Sequence, residues 1–434
     1  MTGQHVFQQA LRKVYPSRVP MSSQAPPVAN PPAPVVLTPR KMFWLVVLLG
    51  ALAALGPFSI DTYLPAFPAI AQTYNTTVGA VEITLAVYFV GLSFGQLFYG
   101  PFADTLGRKP PLYVGLVMYV LASTGCVFAP NIATLTVFRF IQAIGGCSAM
   151  LISRTVVRDY FPPREAARVF SFLMLVIGVS PMVAPMIGGW LVVHMGWRSN
   201  FWMVSTMGTI ILICVAVFLK ESLPPEKRQP GSLPKTLRLY ASLLRDPIFM
   251  VYALSGAFIA AGMFAYLEGS PLVFIQLNHV TADHFGYFFG AIAIGLVLAS
   301  QLNGFLVRRI HPHNIFRVVL IVAATAGIVL FITAKTGAGG FPGILIPLFV
   351  FVSCNGFSFP NATALALAPH GKVAGSAAAM LGFIQFALGG LGGSLVSYLD
   401  NGTAMPMVGV ITVAGIMALL INLVFAPKEA QHMN

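Results

Sequence analysis

The stretch "GPFADTLGRKPP", Gly100 to Pro111, sets an Asp, an Arg, a Lys and three prolines between two long apolar runs. In the 434-residue chain only 9% of residues are charged and 57% are hydrophobic, with a mean hydropathy of +0.82. Soluble domains carry about 25% charged residues, so most of this surface must meet lipid rather than water. The stretch therefore reads as a polar turn at the membrane surface, and the apolar runs beside it as membrane spans.

Outward from that turn, apolar runs long enough to cross a bilayer as helices, about 20 residues each, recur at roughly 42–66, 79–99, 112–129, 133–153, 166–193 and 201–219, then at 248–272, 285–306, 317–335, 342–366, 374–398 and 405–426. The expected fold is all-α and integral to the membrane, with twelve transmembrane helices. If the N-terminus is cytoplasmic, every Lys and Arg except Arg139, Arg198 and Lys335 falls in a cytoplasmic segment. The positive-inside rule then places both termini in the cytoplasm. The same distribution accounts for the net charge of +13 without nucleic acid as a partner.

Residues 1–41 are rich in Pro, Ala and Ser, lack periodicity and contain no signal-peptide core, so they read as a disordered cytoplasmic tail. Residues 428–434 read as a second, short tail. Cys126, Cys147, Cys214 and Cys354 stand apart inside apolar runs and read as packing residues, with no metal or redox spacing.

The longest charged interruption, 220–247, reads as a cytoplasmic linker between a six-helix unit at 42–219 and another at 248–427. An internal repeat crosses it. "YLPAFP" (Tyr63 to Pro68) returns as "YLEGSP" (Tyr266 to Pro271), Gly188 and Gly189 return as Gly392 and Gly393, and Gly100 returns as Gly304, all at nearly one offset and in the same order. Two pseudo-symmetric six-helix bundles follow, an architecture in which the halves rock about a site between them.

Charged and polar residues inside the spans are the candidates for chemistry. In the turn between the second and third helices, Gly100 and Gly107 allow close approach, Asp104 can meet a helix dipole and Arg108 can reach a carboxylate or carbonyl. Such a cluster can latch one half to the other, or Arg108 and Lys109 can simply enforce topology. In "FRFIQAIGG", Phe138 to Gly146, residues Arg139, Gln142, Ala143 and Gly146 share one helix face. An arginine inside a span costs about 2.5 to 3.5 kcal/mol on insertion scales. Arg139 is therefore expected to face the interior, the alternative being an Arg that snorkels outward from a shallow position.

Asp61, the only acid in the first span, is either a carboxyl for which proton, substrate cation and Arg139 compete, or a helix-capping rim residue. Residue counting places Asp61 and Arg139 in the same half of the membrane. Glu82, near the start of the second span, reads as a rim residue; Glu268, at the end of the seventh, is open. In "GVSPMVAPMIGGW", residues Gly178, Pro181, Pro185, Gly188 and Gly189 share one face, where the prolines bend the helix and the glycines let a neighbour approach.

These segments resemble the major facilitator superfamily. Gly100, Asp104, Gly107, Arg108 and Lys109 match its signature turn, with Thr105 where a basic residue is usual. Arg139 and Gln142 match its helix-4 proton-translocation motif, with Ala143 for the usual Gly. Gly178 to Gly189 is similar to the helix-5 motif associated with exporters, with Ala184-Pro185 in place of Gly-Pro. "SIDTYLPAFP" and "FPNATALALAPHGKVAGSAAAMLGFIQ" resemble the bicyclomycin- and chloramphenicol-resistance (Bcr/CflA) branch of twelve-span drug/proton antiporters, over roughly 42–426. The departure at Ala53 and Ala54, where some relatives carry a further acid, leaves proton and substrate duties on Asp61.

The resemblance implies a secondary transporter in the bacterial inner membrane that exchanges protons for small amphipathic drugs by alternating access, acting as a monomer. Proton-coupled transport of a metabolite, or a non-transporting membrane sensor, are the alternatives. Asp104 and Arg108 would gate access. Tyr63, Phe140, Phe264, Glu268, Asn355, Asn361 and Gln385 are the candidate cavity residues, facing a drug or metabolite. No cofactor or metal is expected. The chain has no Gly-x-x-x-x-Gly-Lys-Ser/Thr phosphate loop and no intramembrane His pair or Ser/His/Asp set, so neither ATP hydrolysis nor an enzyme is read.

Overall fold

The computed structural model describes residues 39–228 and 233–426. The expected tails at 1–38 and 427–434 lie outside the described residues, whereas Pro39 and Arg40 are already helical. Among the described residues, twelve helices are long and apolar enough to cross a membrane: α1 (Met42–Thr73), α2 (Val78–Leu106), α3 (Lys109–Phe128), α4 (Ile132–Tyr160), α5 (Arg168–Met195), α6 (Arg198–Phe218), α7 (Pro247–Leu277), α8 (Ala282–Leu306), α9 (Pro312–Thr336), α10 (Gly340–Gly371), α11 (Ala374–Tyr398) and α12 (Met405–Phe425). Helices are the required solution here, because lipid offers no partner for backbone N–H and C=O groups, which a helix satisfies within itself.

Local sequence sets the helix ends. Thr77 and Asn131 cap α2 and α4 by accepting the N–H of Ala80 and Thr134, and Asp246 caps α7 by accepting from Ile248 and Phe249. Gly107, at φ +96°, makes the left-handed turn that lets α3 double back on α2. The 219–246 connection carries a helix of its own, Leu233–Arg245. That helix is tied to the bundle by Tyr240, whose hydroxyl donates to the Leu97 carbonyl of α2 at 3.1 Å.

The sequence repeat is a structural one. At Tyr63 the first span breaks into a 3-10 turn, Leu64–Ala66; at the matching Tyr266-to-Pro271 segment the seventh passes into a π-helical turn, Leu272–Leu277. Within the halves α5 packs on α1, and α11 on α7. Between them α2 packs on α11, and α5 on α8, so the two inter-half contacts are themselves related by the repeat.

Glycine governs these contacts. A Cβ at Gly188 would strike the Thr62 backbone of α1, and one at Gly189 would strike the Ala282 carbonyl of α8. α5 therefore lies against α1 and α8 at once. Despite Pro181 and Pro185, it belongs to one continuous helix from Pro163 to Met195.

Candidate functional site

Arg139 is fully buried, which rules out snorkelling. Its Nη1 donates to Gln142 Oε1 at 2.7 Å, one turn along the same helix, and to the Ser59 carbonyl of α1 at 3.1 Å. The guanidinium carbon lies 4.2 Å from the ring centroid of Tyr88, 4.4 Å from Tyr63 and 5.9 Å from Phe201. Desolvated cation–π contacts of this kind contribute about 2 kcal/mol or more, set against a burial that leaves Nε and Nη2 with no hydrogen-bond partner among the described residues.

The polar network continues outward from this cage. Gln142 Nε2 donates to Ser123 Oγ at 2.8 Å, Ser59 Oγ and Tyr119 Oη lie 2.6 Å apart, and Tyr63 Oη and Thr84 Oγ1 lie 2.7 Å apart. Five spans, α1, α2, α3, α4 and α6, thus converge on one cation. Tyr88, Tyr119, Ser59, Ser123 and Phe201 escaped the sequence reading; the Thr84–Tyr88 spacing of one turn on α2 was the available signal.

Asp61 is buried, 4% exposed, but it does not pair with Arg139: among the described residues the ion pairs are Arg108–Asp104, Arg108–Asp159 and Asp246–His370. The field of Asp61 falls instead on the hydroxyls of Tyr88 and of Tyr266, across the bundle on α7. Tyr88 and Tyr266 are therefore both neighbours of Asp61, and Tyr88 also faces the Arg139 cation.

The remaining candidates separate into groups. Phe264 of α7 stacks between Phe89 of α2, at 4.2 Å and 6°, and Phe386 of α11, at 5.8 Å and 14°. Asn361 donates to Asn303 Oδ1 of α8 at 2.6 Å. Asn355 Oδ1, Gln385 Nε2, Ser255 Oγ and Ser358 Oγ have no partner among the described residues. The second half thus holds buried polar atoms without hydrogen-bond partners on α7, α10 and α11. Tyr63 belongs to the Arg139 cage. Phe140 is half-buried beside Phe94, whose ring is largely exposed.

The charged turn was expected to latch one half to the other. Among the described residues, its ion pairs instead join the turn to its own half. Arg108 donates to Asp104 Oδ1 at 2.6 Å and to Asp159 Oδ2 of α4 at 2.9 Å. Glu221, just past α6, accepts the backbone N–H of Arg108 at 2.9 Å, of Lys109 at 3.0 Å and of Leu223 at 3.0 Å, so it caps α3 from a distance. Burial opposes ionisation of Glu221, but the N–H groups of Leu223, Arg108 and Lys109, with Arg228 nearby, hold its carboxyl below the usual range. A Cβ at Gly100 would come no nearer than 4.0 Å to Ala379 of α11, the one neighbour it would reach among the described residues.

Residues 47–397 match the family described as Major Facilitator Superfamily. The chain belongs to the major facilitator superfamily. It is a multi-pass membrane transporter of small molecules and not an enzyme. Among curated relatives it is 36% identical over 385 residues to the "Uncharacterized MFS-type transporter YdgK" of Bacillus subtilis, covering 88% of this chain and 95% of that one. It is 32% identical over 368 residues to the "Bicyclomycin resistance protein homolog" of Haemophilus influenzae, covering 85% and 92%. To the "Multidrug resistance protein MdtL" of Escherichia coli it is 27% identical over 380 residues, covering 87% and 94%. The resemblance to the bicyclomycin-resistance branch of the superfamily is borne out by these relatives.

Solved structures share the superfamily fold. A D-xylose-proton symporter superimposes with a TM-score of 0.69 at 15% identity, over 89% of this chain and 98% of that one. A bacterial homologue of the lysosomal transporter Spinster, inward-facing and occupied, does so at 0.66 and 16%, over 91% and 96%.

Proposed function

We propose that the protein is a secondary active exporter that exchanges protons for small amphipathic drugs across the bacterial inner membrane, with both termini cytoplasmic and alternating access between its two halves. The observation that carries this reading is the separation of Asp61 from Arg139. A carboxyl buried without a cation is free to bind either a proton or a cationic substrate, while the cage keeps the neighbouring charge fixed. The unsatisfied polar atoms of α7, α10 and α11 face the ligand from the other half. The names of the Haemophilus and Escherichia relatives support a drug as that ligand. The orientation rests on Lys and Arg: Arg108, Lys109 and the 219–246 connection share one end of the bundle.

One charge crossing 100 mV releases about 2.3 kcal/mol, so a proton gradient is a sufficient energy source. The test uses purified protein in proteoliposomes with a pH-sensitive dye. Addition of a drug on the cytoplasmic side should release protons in wild type and release none in Asp61→Asn. Wild-type exchange in that variant removes Asp61 from the role. Equal drug accumulation in cells with and without the protein removes the export reading.

A further inference from the structure

Glu82 was expected at the rim. It is fully buried, as is Glu268. Glu82 lies on α2 of the first half and Glu268 on α7 of the second, and one turn of α11 brings them together: Ser397 bonds Glu82, and Gly393, whose carbonyl accepts from Ser397, lies against Glu268. Both oxygens of Glu268 and Oε1 of Glu82 have no hydrogen-bond partner among the described residues. Glu82 Oε2 accepts one long bond, 3.3 Å, from Ser397 Oγ of α11. The Glu268 carboxyl rests directly on Gly393, where a Cβ would collide with it. The charged and titratable groups facing the pair are all acidic or neutral. Asp400, half-exposed beyond the end of α11, faces Glu82 and touches Gly79; Tyr266 precedes Glu268 by two residues and faces Asp61. No ion pair reaches either Glu among the described residues.

Two neighbouring carboxylates without a cation cannot both stay ionised in a dry site, because burial and mutual repulsion add. We propose that Glu82 and Glu268 form a second proton-binding site, which joins the two halves at the end of the bundle opposite the Gly100–Pro111 turn. One proton taken from water at that end turns the dianion into a carboxyl donating to a carboxylate, and closes α2 onto α7 and α11. Loss of that proton to water restores two like charges and drives the same surfaces apart. Asp400 supplies a half-exposed acid through which the proton passes. The site is independent of Asp61, so its test is independent of the transport reading.

The experiment measures the distance between spin labels at Ile83→Cys on α2 and Tyr398→Cys on α11, both exposed. The full chain is held in nanodiscs and carries Cys214→Ser, since the other three cysteines are buried. As pH rises the distance should lengthen in a single transition. Glu82→Gln with Glu268→Gln should hold the short distance throughout, and Glu268→Gln alone should move the midpoint by more than about one pH unit. The inference is overturned if the parent shows no pH-dependent distance, or if the midpoint is the same in the Gln variants. It is also overturned if sodium at constant pH, rather than pH, shifts the distance. Thermal unfolding of each variant establishes that it is folded; should the double variant not fold, the single substitution decides.

Discussion

The guanidinium carbon of Arg139 lies 4.2 Å from the ring centroid of Tyr88, and the hydroxyl of that same tyrosine lies in the field of Asp61. Tyr88 thus neighbours both groups, whose direct pairing would neutralise both. A salt bridge between them would give a buried, closed-shell unit with nothing left to bind a proton or a cation. The cage keeps the cation committed to the first half, and among the described residues the carboxylate has no cation for a partner.

The cage requires a flat cation. Lysine keeps the charge of Arg139, but it cannot present one planar face to Tyr88 and Tyr63 while donating to Gln142 and the Ser59 carbonyl. Arg139→Lys should lower proton–substrate exchange in proteoliposomes by at least about tenfold while expression falls far less. Equal loss of both would mark Arg139 as purely structural.

Gly188 seats α5 against the backbone of α1 at Thr62. Gly188→Leu forces that contact open, and overpacking of this kind costs about 1–3 kcal/mol. The melting temperature in detergent should drop by several degrees. The same change at Gly196, where no atom lies near an added Cβ, should act only through the strain of its φ of +77° and not through packing against another span.

The Glu221 cap is pH-dependent with a definite sign. Its carboxyl is held below the ordinary glutamate range in the folded state, so its contribution is complete above that range and is lost as pH falls through the lowered folded value. Thermal stability followed down the acid limb should show this loss in wild type. In Glu221→Gln, whose amide does not ionise, stability at neutral pH should be lower and this component of the acid slope should vanish.

Phe264 fills the gap between Phe89 of one half and Phe386 of the other. Phe264→Ala removes a stacked ring worth about 3–5 kcal/mol in a packed core. It should lower the melting temperature in detergent by several degrees, while Phe264→Leu, which keeps an apolar side chain there, should lower it less. An unchanged melting temperature in Phe264→Ala would show that the stack does not hold the halves together.

The twelve spans, the order of their loops and the repeat were legible in the sequence, because a bilayer imposes a local requirement on every crossing: about 20 apolar residues with the backbone bonded inside the helix. The burial of Arg139 and its face with Gln142, Ala143 and Gly146 were legible for the same reason, since a helical period fixes which residues share a side. Asp61 shows where that reasoning ends. Counting along the chain places it at the depth of Arg139, yet Ser59 and Tyr63 are the α1 residues that meet the guanidinium, and Asp61, two residues on from Ser59, is turned about 200° from it. Glu82 was read as a rim residue from its place near the start of α2. It is sealed by Ser397, 315 residues away, and by Glu268 of the other half. Depth in a membrane follows from composition along one chain segment, so the sequence by itself determines it. Rotation about the helix axis, and the neighbour met there, depend on how all twelve helices fill space together, and that only the tertiary structure decided.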